Sequence, residues 1–444
     1  MLDLGALLDE LNPWWSDPAI RPGRDHPFRR DLQQRLLRRL LDPEDRRAHL
    51  ILGPRQVGKT TLLKQLIEDL LELGWPPSRL AYFDFSDDRI IGPLSARQVA
   101  EVLPPVPPGG PPRILFLDEI TRAERWALWL KQMVDARAYR IVATDSAASL
   151  LRHADGESGL GRWDEWQLES FTFGELLAVH NVAAEDPATA LTLMPKVFER
   201  YLEVGGFPGL IREPSLIEAL RRLREDTVSR AILRDLLRFG ISLGGVRDLF
   251  VYLMQDSGAI LNLEQLGGEL NVDRRSIGSW LEYLEMTKLV HRLPVRADRP
   301  RKRLTSRPRL YAADPGLISA YALPAASSEE LRARVFEASV FRHLREVVRG
   351  TRAELSYFRV GETEEVDFVL EGEGERTAIE VTSSRVVKLE KRARFERACK
   401  RLEPRRRLLI HGGKEQRRVD QLELVPLPVF LLAPENWVLR GGAP

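Results

Sequence analysis

Three patterns predict the fold class. A glycine-rich loop, GPRQVGKT (53–60), stands between an apolar strand and a helix; three helical segments precede a basic hairpin; and the C-terminal stretch is ordered helix, three strands, helix, strand. They predict an α/β P-loop core, a helical region, a winged helix and a C-terminal α/β domain of nuclease-like order. The boundaries read as an N-terminal segment at 1–43, then 44–178, 179–240, 241–322 and 323–444. A length of 444 residues agrees, because single cores stop growing at roughly 250–300 residues. Hydrophobic residues at 43% and charged residues at 30% describe a globular chain. No apolar run approaches the roughly 20 residues that span a bilayer, and the first residues, MLDLGALLDE, carry acids where a signal peptide is basic. These features, with Cys399 as the single cysteine, lead us to expect a cytoplasmic protein with no membrane contact and no intrachain disulfide.

In HLILGPRQVGKTTLLKQLIEDLLELG the segment Gly53, Pro54, Arg55, Gln56, Val57, Gly58, Lys59, Thr60 and Thr61 has the chemistry of a nucleotide loop. Its glycines let backbone N–H groups wrap phosphate, the helix start adds positive potential, Lys59 reaches the β- and γ-phosphates of ATP, and Thr60 ligates Mg²⁺. The strand RILFLDEI ends in Asp118, which can hold Mg²⁺, and Glu119, which can polarise the attacking water. A further strand, LAYFDFS (80–86), lies between the two motifs, as in the P-loop class with an extra strand between the two motif strands. PPVPPGGPP (104–112) is a surface connector. The strand YRIVATDS (139–146) ends where this class senses the γ-phosphate; either Thr144 or Ser146 suits that task, whereas a carboxylate at Asp145 is repelled by phosphate.

The middle of the chain is helical. FERYLEVGGFPGLIRE stops at Gly205-Gly206 and a Phe-Pro turn. Helices are expected at 246–257, about 262–270 with Asn262 as N-cap, and 273–287 with Asp273 as N-cap, followed by a strand pair. That is winged-helix order, with Arg274 and Arg275 opening the third helix and Arg301, Lys302 and Arg303 in the wing as candidate DNA contacts. The net charge of +2 conceals two basic regions: 271–309 holds eleven Lys/Arg against four Asp/Glu, and 388–418 holds thirteen against four. Both are candidate polyanion footprints, and in the second Lys388, Lys391 and Arg392 are the candidate DNA contacts.

In the C-terminal stretch YFRVGETEEVDFVLEGEGERTAIEVTSS, Asp367 and Glu380 lie on successive strands, and two such carboxylates can bind Mg²⁺. Period two sets Glu380 and Thr382 on one face; the acids of GETEE and EGEGER read as solvated. In metal-dependent nucleases a lysine commonly stands two residues after the second acid. Here that residue is Thr382, which supplies no cation, and Arg385 or Lys388 would have to swing in.

On GPRQVGKTTL, FLDEI, the Thr-Asp-Ser strand end, GR at 161–162 and FTFGEL, residues 48–178 resemble the AAA+-like ATPases of archaea and bacteria, whose strand end reads Thr-Gly-Ser. The GGFP box and the C-terminal order extend the resemblance from residue 28 to the end. It implies a helical lid after the core, assembly into homo-oligomeric rings or partial rings, and an arginine finger at Arg162. It also implies a winged helix and a restriction-endonuclease-like domain similar to Holliday-junction resolvases, with Glu337, Asp367 and Glu380 at the acidic positions. Three readings stay open: an ATPase that remodels duplex or branched DNA, a nucleotide-switched regulator of a protein partner, and an ATP-dependent metal nuclease.

Overall fold

The computed structural model describes residues 3–145, 161–180, 195–229, 243–297, 306–323, 326–361, 364–372 and 374–438. It divides into two compact units, Met1–Glu169 and Ser170–Pro444.

The first unit is built on one parallel sheet of β1 (Ala48–Leu52), β2 (Leu80–Asp84), β3 (Ile114–Asp118), β4 (Arg140–Asp145) and β5 (Trp163–Gln167), ordered β2-β3-β4-β1-β5. β1 and β3 are buried at every position, which is why they read as unbroken apolar runs. The strand that separates β1 from β3 is β4, so the expectation that 80–86 supplies the inserted strand is corrected: β2 lies at the sheet edge. Parallel strands need long crossovers, and a crossover can carry the chain past its neighbour, so order along the chain does not dictate order in the sheet.

The N-terminal residues cover that edge. The Asn12 amide donates to Tyr82 O at 2.9 Å and accepts from Tyr82 N at 2.6 Å, while the indoles of Trp14 and Trp15 donate to Leu80 O at 3.0 and 2.8 Å. Side chains thus take the role of a sixth strand and close an edge that would otherwise invite pairing with another chain. After β1 the chain turns through 53–58 into helix α1 (Lys59–Glu72), which buries Leu62, Leu63, Leu66, Ile67 and Leu70 at helical spacing.

The second unit begins with helix α2 (Phe173–Val179), opened by a capping box between Thr172 and Glu175. The GGFP turn is a packing device: Gly206 N–H donates to the buried Asp314 at 2.9 Å, and a Cβ on Gly206 would lie 2.1 Å from Phe171 O. Helices α3 (Leu243–Gln255), α4 (Leu263–Leu270) and α5 (Arg274–Met286) follow, and Asn262 and Asp273 cap the last two through their side chains. β6 (Val290–Leu293) and β7 (Arg309–Ala312) pair antiparallel.

Then come helix α6 (Ser328–Val348), β8 (Glu354–Val360), β9 (Glu364–Gly372), β10 (Glu375–Val381), helix α7 (Leu389–Leu402) and β11 (Arg406–His411), in the order read from the sequence. Two strands not anticipated there, β12 (Arg417–Val419) and β13 (Leu422–Pro426), complete a mixed six-stranded sheet ordered β12-β13-β11-β10-β9-β8. α7 lays Phe395, Ala398, Cys399 and Leu402 against this sheet. Among the described residues, no helix is long and apolar enough to cross a membrane.

Candidate nucleotide site and a second charged cluster

The ends of β1, β3 and β4 bring the first site together. Gly53 is needed where it stands, since a Cβ would lie 1.9 Å from Leu168 O, and Gly58 enters α1 at φ +96°, a region that favours glycine. Pro54 and Val57 are buried in the loop's base, Gln56 is exposed, and Arg55 and Thr61 are half-buried. Lys59 is buried, and its Nζ donates to Gly53 O at 2.9 Å and Pro54 O at 2.8 Å. Burial lowers its pKa, and the nearby Glu119, Asp145 and Asp118 oppose that. Carbonyl oxygens of its own loop thus hold the ammonium at the place where phosphate oxygens would compete for it.

Asp118 is 2% exposed and is surrounded by hydroxyls. Thr60 Oγ1 donates to its Oδ2 at 2.5 Å, Tyr82 OH to the same oxygen at 3.1 Å, and Thr144 Oγ1 to Oδ1. A hydroxyl on an exposed residue against a buried carboxylate is a pair of hard oxygen donors that fits Mg²⁺. Glu119 follows in the left-handed region at φ +52°, and its N–H donates to Thr144 Oγ1 at 3.1 Å. Thr144 therefore ties the carboxylate of Asp118 to the backbone of Glu119, a positioning role beyond any contact with phosphate.

Asp145, the residue that departs from the family pattern, faces Thr121, accepting its N–H at 3.1 Å and its hydroxyl. It holds the segment after Glu119. Tyr82 and Thr121 were not anticipated; the signal for the first was a tyrosine set among the apolar residues of β2. Ser146 lies outside the described residues. Arg162 Nε donates to both oxygens of Asp135, at 3.0 and 3.2 Å.

The second cluster lies in the C-terminal unit, and its centre is a residue that the sequence reading passed over. Arg309, 8% exposed, directs its guanidinium at Glu337 Oε1 (3.1 Å), Asp367 Oδ1 (3.4 Å) and Glu365, and lies over the Tyr357 ring. Tyr311 OH donates to Glu337. Glu365 is thereby bound, which corrects the reading of the GETEE acids as solvated; Glu364 likewise pairs with Arg401 at 2.9 Å.

Asp367 Oδ2 also accepts the N–H of Val381 at 2.9 Å. Glu380 pairs with Lys391 of α7 at 3.1 Å, and Lys391 Nζ also donates to Val381 O at 2.6 Å. The cation beside Glu380 thus comes from α7, and among the described residues it is neither Arg385 nor Lys388. Thr382 Oγ1 accepts from Ser384 N at 3.3 Å. Among the described residues, Glu380 Oε2 is buried with no hydrogen-bond partner. Burial and the neighbouring Asp367 push Glu337 up to about 7 and Glu380 up to about 8.

The candidate DNA contacts divide. Arg274, Arg275 and Lys388 are exposed, Arg392 is paired with Glu396 at 2.8 Å and Asp420 at 3.3 Å, and Arg301, Lys302 and Arg303 lie outside the described residues. A third group, Asp45, His49 and Asp164, has ligand atoms within 4.8 Å of one another. The Trp166 indole donates to His49 Nδ1 at 3.2 Å, so the ring proton is on Nε2, which faces Asp45. With Arg39 and Arg47 also paired to the two acids, that group is a salt-bridge network already supplied with cations.

Residues 45–177 match the family described as "AAA domain", and residues 195–328 and 332–430 each match a domain of unknown function, DUF8612 and DUF4143. An uncharacterized protein of Haemophilus influenzae is 24% identical over 280 residues, 60% of this chain and 67% of that protein. Among solved structures, the Thermotoga maritima RuvB Holliday junction branch migration motor is 18% identical with a TM-score of 0.28, covering 65% of this chain and 95% of that one. The Aeropyrum pernix Orc1 protein in complex with DNA is 16% identical with a TM-score of 0.29, covering 69% and 95%. The AAA-domain match, on a five-stranded parallel sheet with the nucleotide loop at the end of β1, makes residues 45–177 an AAA-type P-loop domain.

Proposed function

We propose that the protein is a DNA-binding ATPase that hydrolyses ATP with Mg²⁺ to remodel or process duplex or branched DNA. The observation that carries the ATPase reading is the set of hydroxyls on Asp118, with Thr60 at 2.5 Å and Thr144 tying it to Glu119. In this reading Lys59 neutralises the β- and γ-phosphates, and Thr60 and Asp118 are the residues that would hold Mg²⁺, which would supply charge neutralisation on phosphate. Glu119 orients and deprotonates water, and Thr144 keeps the Glu119 backbone in register. Arg162 acts as an arginine finger toward a neighbouring copy in a homo-oligomer by exchanging Asp135 for phosphate.

The DNA reading rests on the two basic regions. Residues 241–322 act as a winged helix through Arg274, Arg275, Arg301, Lys302 and Arg303, and the C-terminal domain grips the backbone through Lys388 and its neighbours. A second reading, metal-dependent cleavage, is favoured by Lys391 beside Glu380 and by the unpartnered Glu380 Oε2, with Asp367 and Glu380 as ligands.

One experiment addresses both. ATP turnover is measured with and without linear, forked and four-way DNA in Mg²⁺ or Mn²⁺, and the same DNA is scored for cutting. We expect DNA to stimulate turnover and Lys59→Ala to abolish it. Stimulation by a protein and not by DNA would replace the DNA reading with a nucleotide-switched regulator. Cutting that is lost in both Glu380→Ala and Lys391→Ala establishes the nuclease.

A further inference from the structure

Two large aliphatic side chains point into solvent beside the second cluster: Val386 is 78% exposed and Leu389 82%. They flank the start of α7, whose own apolar face is already used against the sheet by Phe395, Ala398, Cys399 and Leu402. Val387 between them packs inward. On the outward side of α7, Leu389, Ala393, Arg397 and Lys400 recur at helical spacing, with Arg394 adjoining. All five are exposed, and Arg385 and Lys388 precede them, also exposed. The helix has two acids, Glu390, exposed in its first turn, and Glu396, which is engaged by Arg392.

An exposed pair of aliphatics in a field of mostly positive side chains, with Glu390 the exposed acid among them, is a combination with few uses. A protein partner needs more apolar area than two side chains offer, since stable interfaces bury about 800 Å² per partner. An interfacial membrane helix needs a full apolar face, and that of α7 is spent on the core. Duplex DNA matches both halves. From 388 to 400 a helix runs about 18 Å, the length of roughly five base pairs, so the cations can track phosphates. A Val or Leu at the end of that track can press between base steps, as apolar wedges do in proteins that kink DNA from the minor groove.

We propose that residues 385–400 form a DNA contact in which Val386 and Leu389 are an apolar wedge against the base stack and Lys388, Arg394 and Arg397 hold the flanking phosphates. The proposal rests on the DNA reading above and adds to it the place and manner of contact, deformation of the stack rather than reading of base edges.

The test uses the full chain and a 2-aminopurine-labelled duplex and fork, with two double variants, Arg394→Glu/Arg397→Glu and Val386→Ser/Leu389→Ser. All four positions are exposed, so both proteins should fold, which circular dichroism checks. The charge variant should lose at least about tenfold in affinity and reduce the salt slope by about two. The wedge variant should keep that slope and lose most of the 2-aminopurine enhancement.

An unchanged enhancement in the wedge variant, or an unchanged slope in the charge variant, overturns the proposal while wild-type DNA binding leaves the broader reading standing. Failure of the wild type to bind any of the DNAs overturns both. Two further outcomes overturn it in favour of another occupant: binding to phosphatidylserine vesicles that the same variants abolish, or a dimer in gel filtration that the wedge variant alone dissolves.

Discussion

At the nucleotide loop the carboxylate of Asp118 is held by hydroxyls, from Thr60, Thr144 and Tyr82, whereas in the C-terminal cluster Glu337, Glu365 and Asp367 gather round the guanidinium of Arg309. Each cluster has its lysine as well. Lys59 is bound by loop carbonyls, neutral groups from which an incoming phosphate can take it, while Lys391 is bound to the charge of Glu380. Hydroxyl partners leave an acid's charge available to an outside cation; a buried guanidinium uses it up. The same residue types therefore make one cluster receptive and the other largely self-satisfied, with burial, and after it the charge of Asp367, raising Glu337 and Glu380.

The largest expected effect is on the receptive side. Glu119→Gln should lower ATP turnover by about 10²–10³-fold while a fluorescent nucleotide still binds, the loss typical of a removed general base. Unchanged turnover would break the contrast, because Asp118 and Glu119 would then be only structural. On the self-satisfied side, Arg309→Met leaves three carboxylates facing one another and should destabilise the Ser170–Pro444 unit by about 3–5 kcal/mol, read from denaturant unfolding. A loss below about 1 kcal/mol would mean that the guanidinium is not the cluster's counter-charge.

The two buried, raised carboxyls have their own signature. A carboxyl whose pKa is raised on folding holds its proton more tightly in the folded state, so its contribution is full below the ordinary carboxylate range and is lost as pH rises toward about 7–8, where Glu337 and Glu380 titrate. Thermal unfolding should therefore fall between pH 5.5 and 8.5, and Glu380→Gln should flatten part of that fall. Parallel profiles for the two proteins would remove Glu380 from the cause. The smallest effect concerns Arg162, a partly exposed partner of Asp135: Arg162→Ala should change stability by less than about 1 kcal/mol. A fall in turnover out of proportion to that change sharpens its assignment as a finger.

The nucleotide loop was legible because its parts are consecutive. Gly53, Gly58, Lys59 and Thr60 follow a strand and open a helix, and Asp118-Glu119 end another apolar run, so period and spacing sufficed. The caps at Asn262 and Asp273 and the helix–strand order of the C-terminal unit were legible for the same reason. The second cluster was only half legible. Asp367 and Glu380 stood out by their strand spacing, but Arg309 is 58 residues from Asp367 and was counted simply as one cation in a basic stretch.

By itself, then, the amino-acid sequence determined the local elements and the strand–loop–helix placement of 53–60, because helix and strand periods and a glycine-rich loop are written in neighbouring residues. Only the tertiary structure decided that β4 separates β1 from β3, that Asn12 and two tryptophans close the β2 edge, that Asp145 serves Thr121, and that Lys391 pairs with Glu380. In a chain that is 30% charged every acid has many possible partners, and which one it meets depends on how distant elements pack.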